Sequence, residues 1–316
     1  MKALVITRFG GPEVLELQQV PDAHPAPEQL LVKVEAGGLN FADLLTARGG
    51  YAGTPKPPLT AGREFAGVVE SSGRRVMGYT QWAAFAEKTV ANRNLVWPIP
   101  ENWTAEQAAA FPVNFFTAYF AYWKAGLLDK PGSRVLIHAV AGGVGTAAVQ
   151  IGKILGVEMY GTSSSEDKLA RVRELGLQHG INYKQRDYAE AIKDLTRDEG
   201  IDAVFEMLGG EHVAKGVKCV RDFGRIIVYG AATGETPTLD TRLLYAKGVS
   251  VHGLWLSYLS ANRPLMESAW KQLSEWLAAD KLHPVIGKVF PLEQAREAYM
   301  LMQEGKNYGK IVLKIG

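Results

Sequence analysis

The stretch RVLIHAVAGGVGTAAVQIGKILG, residues 134–156, carries the plainest chemistry in the chain. An apolar run passes through a glycine-rich turn straight into a helical pattern. That context suits a phosphate cradle: Gly142 lets backbone approach a pyrophosphate, and Gly145 lets the helix pack close to the strand. Gly143 and Val144 complete the cradle, and the N-terminus of the helix that follows offers N–H groups and a positive dipole to the phosphates. The spacing is A-x-x-G-x-x-G from Ala139, with Val140 where the first glycine of G-x-G-x-x-G would stand. A dinucleotide-binding site of this kind has a second determinant. About 20 residues after the glycines, at the end of the next strand, a carboxylate holds the ribose hydroxyls of NAD. Here that end reads GTSSSEDK. Ser163 and Ser164, flanked by Thr162 and Ser165, leave room for a 2′-phosphate and can donate to it, and Lys168 can reach the same anion. NADPH is therefore the expected cofactor. Glu166 and Asp167 are the residues that would spoil this preference by folding back to the ribose.

The elements around the cradle alternate. After SRVLIHAV come the helix TAAVQIGKILG, the strand VEMYGT, the helix SEDKLARVRELG, the strand INY and the helix YAEAIKDLTRDEG. DAVFEML, a helix near 212–221 and GRIIVYG complete the series. Alternation at this spacing builds βαβ units and a parallel sheet. Residues 1–100 read differently. ALVIT, VLELQQV and LLVKVEA are β-rich, and FGGP, PDAHPAPEQ and GTPKPP punctuate them. From Thr104, a predicted N-cap with Gln107 three residues on, TAEQAAAFPVNFFTAYFAYWKAG has helical spacing. The helix PLMESAWKQLSEWLAADK and the strand KIVLKIG are expected to return to the first domain.

Composition narrows the function. The chain has 316 residues, enough for two domains, with 47% hydrophobic and 22% charged residues and a net charge of +2. No Lys/Arg block suggests nucleic acid. The single cysteine, Cys219, excludes an intramolecular disulfide and a structural zinc site of several cysteines. The first residues lack the apolar core of a signal peptide, and no apolar run approaches the roughly 20 residues that span a bilayer. A soluble cytoplasmic protein is expected.

Together with FGGPEVLEL, AGGLNFADLLTARGGY, INY, GRIIVYGAATG and the closing GKIVLKI, the cradle resembles the medium-chain dehydrogenase/reductase superfamily, specifically its zinc-free quinone oxidoreductase branch. The resemblance covers nearly the whole chain. It implies an α/β protein: a GroES-like β-rich catalytic domain over 1–117 and 258–316, and a Rossmann domain with a doubly wound parallel sheet over 118–257. In the zinc alcohol dehydrogenases of this superfamily one catalytic ligand is a Cys and the next is the His of a Gly-His-Glu. The matching positions hold Asn40 and Arg63, and Ala42 matches the proton-relaying hydroxyl. The resemblance therefore implies no catalytic metal.

Without a Lewis acid the acceptor must take hydride readily, as quinones and α,β-unsaturated carbonyls do. The resemblance implies Tyr51, eleven residues after Asn40 on the loop RGGYAGTPKPP, as the group that orients or protonates the substrate oxygen. Asn40 is implied as an amide donor near the nicotinamide or the substrate oxygen. Lys168 and Tyr183 have the spacing the branch uses at the 2′-phosphate. Thr117 and Asn307 are implied at the cofactor, and Trp255 at the substrate cleft. The branch also implies a homodimer paired through KGVSVHGLWL. Two other readings remain open: an enoyl thioester reductase, favoured by Tyr51 and the WLS segment, and an NADPH-binding protein without turnover.

Overall fold

The computed structural model describes residues 1–316, which divide into two compact units. The first comprises Met1–Asn114, Ser260–Glu267 and Pro284–Gly316, and the second Phe115–Leu259 and Ser268–His283. The expected boundary at 117/118 falls at 114/115. A larger difference lies in the helix Arg263–Ala278, expected wholly in the first domain. Its part from Ser268 onward belongs to the second unit. There Trp270 stacks on Phe116 with ring centroids 6.5 Å apart, and Trp276 meets Tyr119 at 6.1 Å. The Gln150 amide also bonds both the N–H and the carbonyl of His283. Aromatic burial thus outweighs sequence proximity to the final strand.

The first unit is β-rich, with the core around Phe65, Phe85, Val32 and Tyr299. Each such buried side chain contributes about 1.5–3 kcal/mol. The long strand Gln29–Leu39 is the organiser. It runs antiparallel to Glu64–Val69 on one side and to Lys310–Lys314 on the other, so residues far apart in sequence become neighbours. Gly38 pairs with Glu64, and Leu39 with Ile311. Immediately afterwards Asn40 opens the helix Phe41–Ala47, where its backbone N–H bonds the Asp43 carboxylate. Thr104 and Gln107 form the expected capping box of Ala105–Ala109. The apolar run after it is two helices instead of one. Pro112, which cannot continue a helix from the preceding turn, starts a second helix at Pro112–Ala125.

The second unit holds a six-stranded, all-parallel sheet. Its order is His179–Asn182, Glu158–Ser163, Arg134–Ile137, Ile201–Glu206, Val220–Val228 and Ser250–Gly253. In chain order this is 3-2-1-4-5-6, the doubly wound arrangement of dinucleotide-binding domains. The order reverses between Arg134–Ile137 and Ile201–Glu206. The crevice at such a reversal, outside the strands' carboxyl ends, is where ligands bind in these sheets.

Candidate functional site

In the second unit the cradle lies at that reversal. Gly142 caps the helix Gly143–Leu155 in extended conformation, so the amides of Gly143, Val144 and Gly145 are the first of the helix and lack intrahelical acceptors. A Cβ on Gly145 would collide with the Val140 carbonyl, so only glycine lets the helix come this close to the strand end. A Cβ on Gly142 would meet only the Ala139 carbonyl, at 3.3 Å. Two buried groups, His138 and Glu206, lie at the ends of the two strands that flank the reversal. His138 Nδ1 lies 3.0 Å from Thr162 Oγ1, and its Nε2 lies 3.9 Å from Glu206 Oε2. Burial, with His212 and Lys215 adding repulsion, pushes the His138 imidazole down to about 3, and burial raises the Glu206 carboxyl.

At the end of the second strand, Ser163 is buried and Ser164 half-buried, while Ser165 caps the helix Glu166–Leu175. The N–H of Tyr183 donates to the Ser163 carbonyl, which brings Tyr183, 53% exposed, beside the serines. Lys168 is depressed by burial and then by the charge of Lys184. Two ammonium groups therefore share this corner. Sequence reasoning found Lys168 and missed Lys184, whose only signal was its place next to Tyr183. Glu166 pairs with Arg173 at 3.7 Å, and Asp167 is exposed. Thr117 is buried in the helix Pro112–Ala125. Trp255, 38% exposed, follows the edge strand.

The first unit gathers the residues at the positions matched to metal ligands. Asn40 is 7% exposed, and its two amide hydrogens are both spent, on the Gly38 carbonyl at 3.1 Å and Glu64 Oε1 at 2.8 Å. In this arrangement the Asn40 amide supports a buried charge pair. Lys310, 2% exposed, forms an ion pair with Glu64, 0% exposed. Its ammonium also donates to Asn40 Oδ1 at 2.6 Å and Asn114 Oδ1 at 3.4 Å. The second Glu64 oxygen accepts the Val113 N–H at 2.8 Å. Gly38 makes this packing possible, since a Cβ there would stand 2.7 Å from Glu64 Oε1 and run into the Ala109 carbonyl. Lys310 was invisible from sequence, because its partners lie 196 to 270 residues away.

Arg63 turns the other way. It is 2% exposed, yet it carries a charge. Its guanidinium carbon lies over two aromatic rings, 3.9 Å from the Tyr51 centroid and 4.3 Å from that of Trp82. One amino group donates to Thr46 Oγ1 at 2.6 Å and the other to the Gln81 carbonyl at 3.1 Å. Its Nε has no hydrogen-bond partner and stands 3.6 Å from Asp43 Oδ1. Burial raises Asp43 to about 6, against the opposing pull of Arg63. Asn307, half-buried, bonds the Gly309 carbonyl just before Lys310. No group of three or more His, Cys, Asp or Glu side chains is arranged to hold a metal ion.

Family comparison decides the lineage. Residues 26–101 match the alcohol dehydrogenase GroES-like domain, and residues 143–279 match the zinc-binding dehydrogenase family. The human synaptic vesicle membrane protein VAT-1 homolog is 36% identical over 100% of this chain and 87% of its own length. The quinone oxidoreductase of Thermus thermophilus, solved alone and in complex with NADPH, is 36% identical, with a TM-score of 0.89 over 99% of this chain and 100% of that one. The chain belongs to the medium-chain dehydrogenase/reductase superfamily, in its zinc-free quinone oxidoreductase branch. The CurK enoyl reductase is 28% identical with a TM-score of 0.89, covering 100% of this chain and 99% of that one. The chain is thus an oxidoreductase of this superfamily by descent and fold. No helix is long and apolar enough to cross a membrane.

Proposed function

We propose that the protein is a zinc-independent, NADPH-dependent reductase of quinones or α,β-unsaturated carbonyls. The observation that carries this reading is the pairing of Lys168, in the helix after the second parallel strand, with Lys184, just after the third, together with serines where NAD enzymes keep a carboxylate. Two cations and small hydroxyls suit a 2′-phosphate. The similar Thermus enzyme was solved with NADPH, which supports the same choice. Gly142, Gly143, Val144 and Gly145 would hold the pyrophosphate, and Tyr183 the adenosine end beside Ser163 and Ser164. Thr117 and Asn307 belong to the proposal as cofactor neighbours, and Trp255 as part of the substrate cleft, all by family position.

When bound, NADPH would supply a hydride. The protein's own work is to orient the acceptor oxygen and to protonate it. At the positions matched to a metal, the structure has Arg63 and the Asn40–Lys310–Glu64 network, so Tyr51 is the proposed group for that oxygen. Its phenol can donate a hydrogen bond and a proton. A homodimer through the edge strand Ser250–Gly253 also belongs to the proposal. That strand has a neighbour on one side alone, and Val251 and Tyr258 are exposed beside it.

The test follows NADPH absorbance with a naphthoquinone, a short enone and a crotonyl thioester. Consumption with the quinone or enone is expected. Preference for the thioester would favour an enoyl reductase, a reading supported by the likeness to CurK. Tight NADPH binding without consumption of any of the three would overturn the proposal and leave a binding protein without turnover.

A further inference from the structure

A buried cation is costly unless it is fully paired, and an apolar side chain would fill the space of Arg63 more cheaply. Yet Arg63 is among the largest fully buried side chains, and its Nε lacks a hydrogen-bond partner. What the guanidinium does have is contact with three separate segments. Thr46 belongs to the helix Phe41–Ala47, Gln81 and Trp82 to the loop after Arg75–Tyr79, and Tyr51 to the glycine-rich loop that follows Ala47. That last loop is mostly solvent-facing. Of residues 48–56, only Tyr51 and Thr54 are not exposed, and Thr54 bonds back to the Tyr51 carbonyl through both its hydroxyl and its N–H. Gly49 and Gly53 have positive φ, so the flanking backbone is of the kind that bends easily.

We propose that Arg63 is a positioning residue that clamps the Tyr51 ring and so sets where the Tyr51 hydroxyl meets the substrate oxygen. The clamp is built from geometry only a planar cation satisfies. The guanidinium carbon lies over both the Tyr51 and the Trp82 rings, while its two amino groups are held by Thr46 and Gln81. The position matched to a metal-ligating His thus holds a residue that acts on the catalytic loop. The part concerning the hydroxyl rests on the proposed role of Tyr51, whereas the hold on the loop does not.

Two measurements separate these parts, both on the full chain. Hydrogen exchange of the amides of Gly49, Gly50 and Thr54, all hydrogen-bonded in the loop, is compared between wild type and Arg63→Lys. Lysine keeps the charge beside Asp43 and loses the plane. Exchange should quicken by about tenfold, the size expected for losing a charged hydrogen bond of the guanidinium fork to Thr46 or Gln81, with exchange in the parallel sheet unchanged. Should Arg63→Lys fail to fold, Trp82→Leu, at a half-buried position, removes the second ring against the guanidinium and should quicken the same amides by about threefold. Unchanged loop exchange in the folded variant would overturn the clamp. The second measurement is kcat for quinone reduction in Arg63→Lys, Tyr51→Phe and the double variant. If Arg63 acts through the Tyr51 hydroxyl, the double variant is no slower than Tyr51→Phe. Multiplying losses would overturn the link from clamp to hydroxyl. Wild-type kcat in Tyr51→Phe would instead refute the role proposed for Tyr51, and loop exchange would still decide the clamp.

Discussion

Replacing Lys310 by Met tests whether the buried network beneath Asn40 is organised by charge. Lys310 and Glu64 are 2% and 0% exposed, so bulk water cannot take the place of either partner. The wild-type Glu64 carboxylate receives one cation and two neutral donors, Asn40 Nδ2 and the Val113 N–H. Methionine matches the length and apolar stem of lysine but strands the carboxylate with the neutral donors alone. Breaking a buried pair from one side costs about 3–5 kcal/mol. For a protein with domains of this size, each kcal/mol moves Tm by about 2–4 °C, so the expected fall is on the order of 10 °C. The double variant Lys310→Met/Glu64→Gln removes both charges and should recover at least half of that loss, because a neutral amide in the same place leaves no unpaired ion. Thermal unfolding followed by circular dichroism and calorimetry reads both numbers. A Lys310→Met protein within about 1 kcal/mol of wild type, or a double variant no more stable than the single, would refute the reasoning.

Lys168→Ala should weaken NADPH by about 10- to 100-fold and NADH by little, measured by fluorescence titration, because one charge-assisted contact is lost. Equal weakening of both would remove Lys168 from the 2′-phosphate. At the cradle, Gly145→Ala should lower Tm, since its Cβ meets backbone at Val140. Gly142→Ala should lower Tm less than Gly145→Ala and weaken NADPH, because its Cβ comes no closer to the chain than 3.3 Å from the Ala139 carbonyl and faces the proposed pyrophosphate; the reverse pattern would refute the cradle. Two buried groups predict opposing pH trends. His138, held at about 3 in the folded state, supports stability above its unfolded value of about 6.5 and loses it as pH falls. Asp43, raised to about 6, contributes most below about 3.8 and loses stability as pH rises. Between pH 4 and 6 each gives a slope of up to about 1.4 kcal/mol per pH unit, with opposite sign. His138→Gln should therefore gain stability relative to wild type as pH falls through this window, and Asp43→Asn should lose it. Parallel stability curves for the two variants would contradict both assignments.

Much of this molecule is local. Alternating apolar runs and amphipathic spacing announce the parallel sheet, because period and turn chemistry act within a dozen residues. The glycine spacing at Ala139–Gly145 and the capping box at Thr104–Gln107 are read the same way, since a helix start is a contact among near neighbours. The missing carboxylate after Glu158–Ser163 is likewise a statement about one strand end. Less legible was the home of Arg263–Ala278, whose Trp270 and Trp276 chose partners at Phe116 and Tyr119. An apolar stripe says that a helix packs, not against what.

By its resemblance to the superfamily, the sequence implied that Asn40 and Arg63 stand where the zinc enzymes keep metal ligands. What replaced that chemistry was decided only by tertiary structure. Strand pairing of Gly38 with Glu64 and Leu39 with Ile311 brings Lys310 under Asn40 and takes up both its amide hydrogens. Loop closure sets the Tyr51 and Trp82 rings against the Arg63 guanidinium. Such contacts join segments tens to hundreds of residues apart, and no local period encodes them. They follow from sheet register, which a hydrophobic pattern fixes within a strand but not between strands.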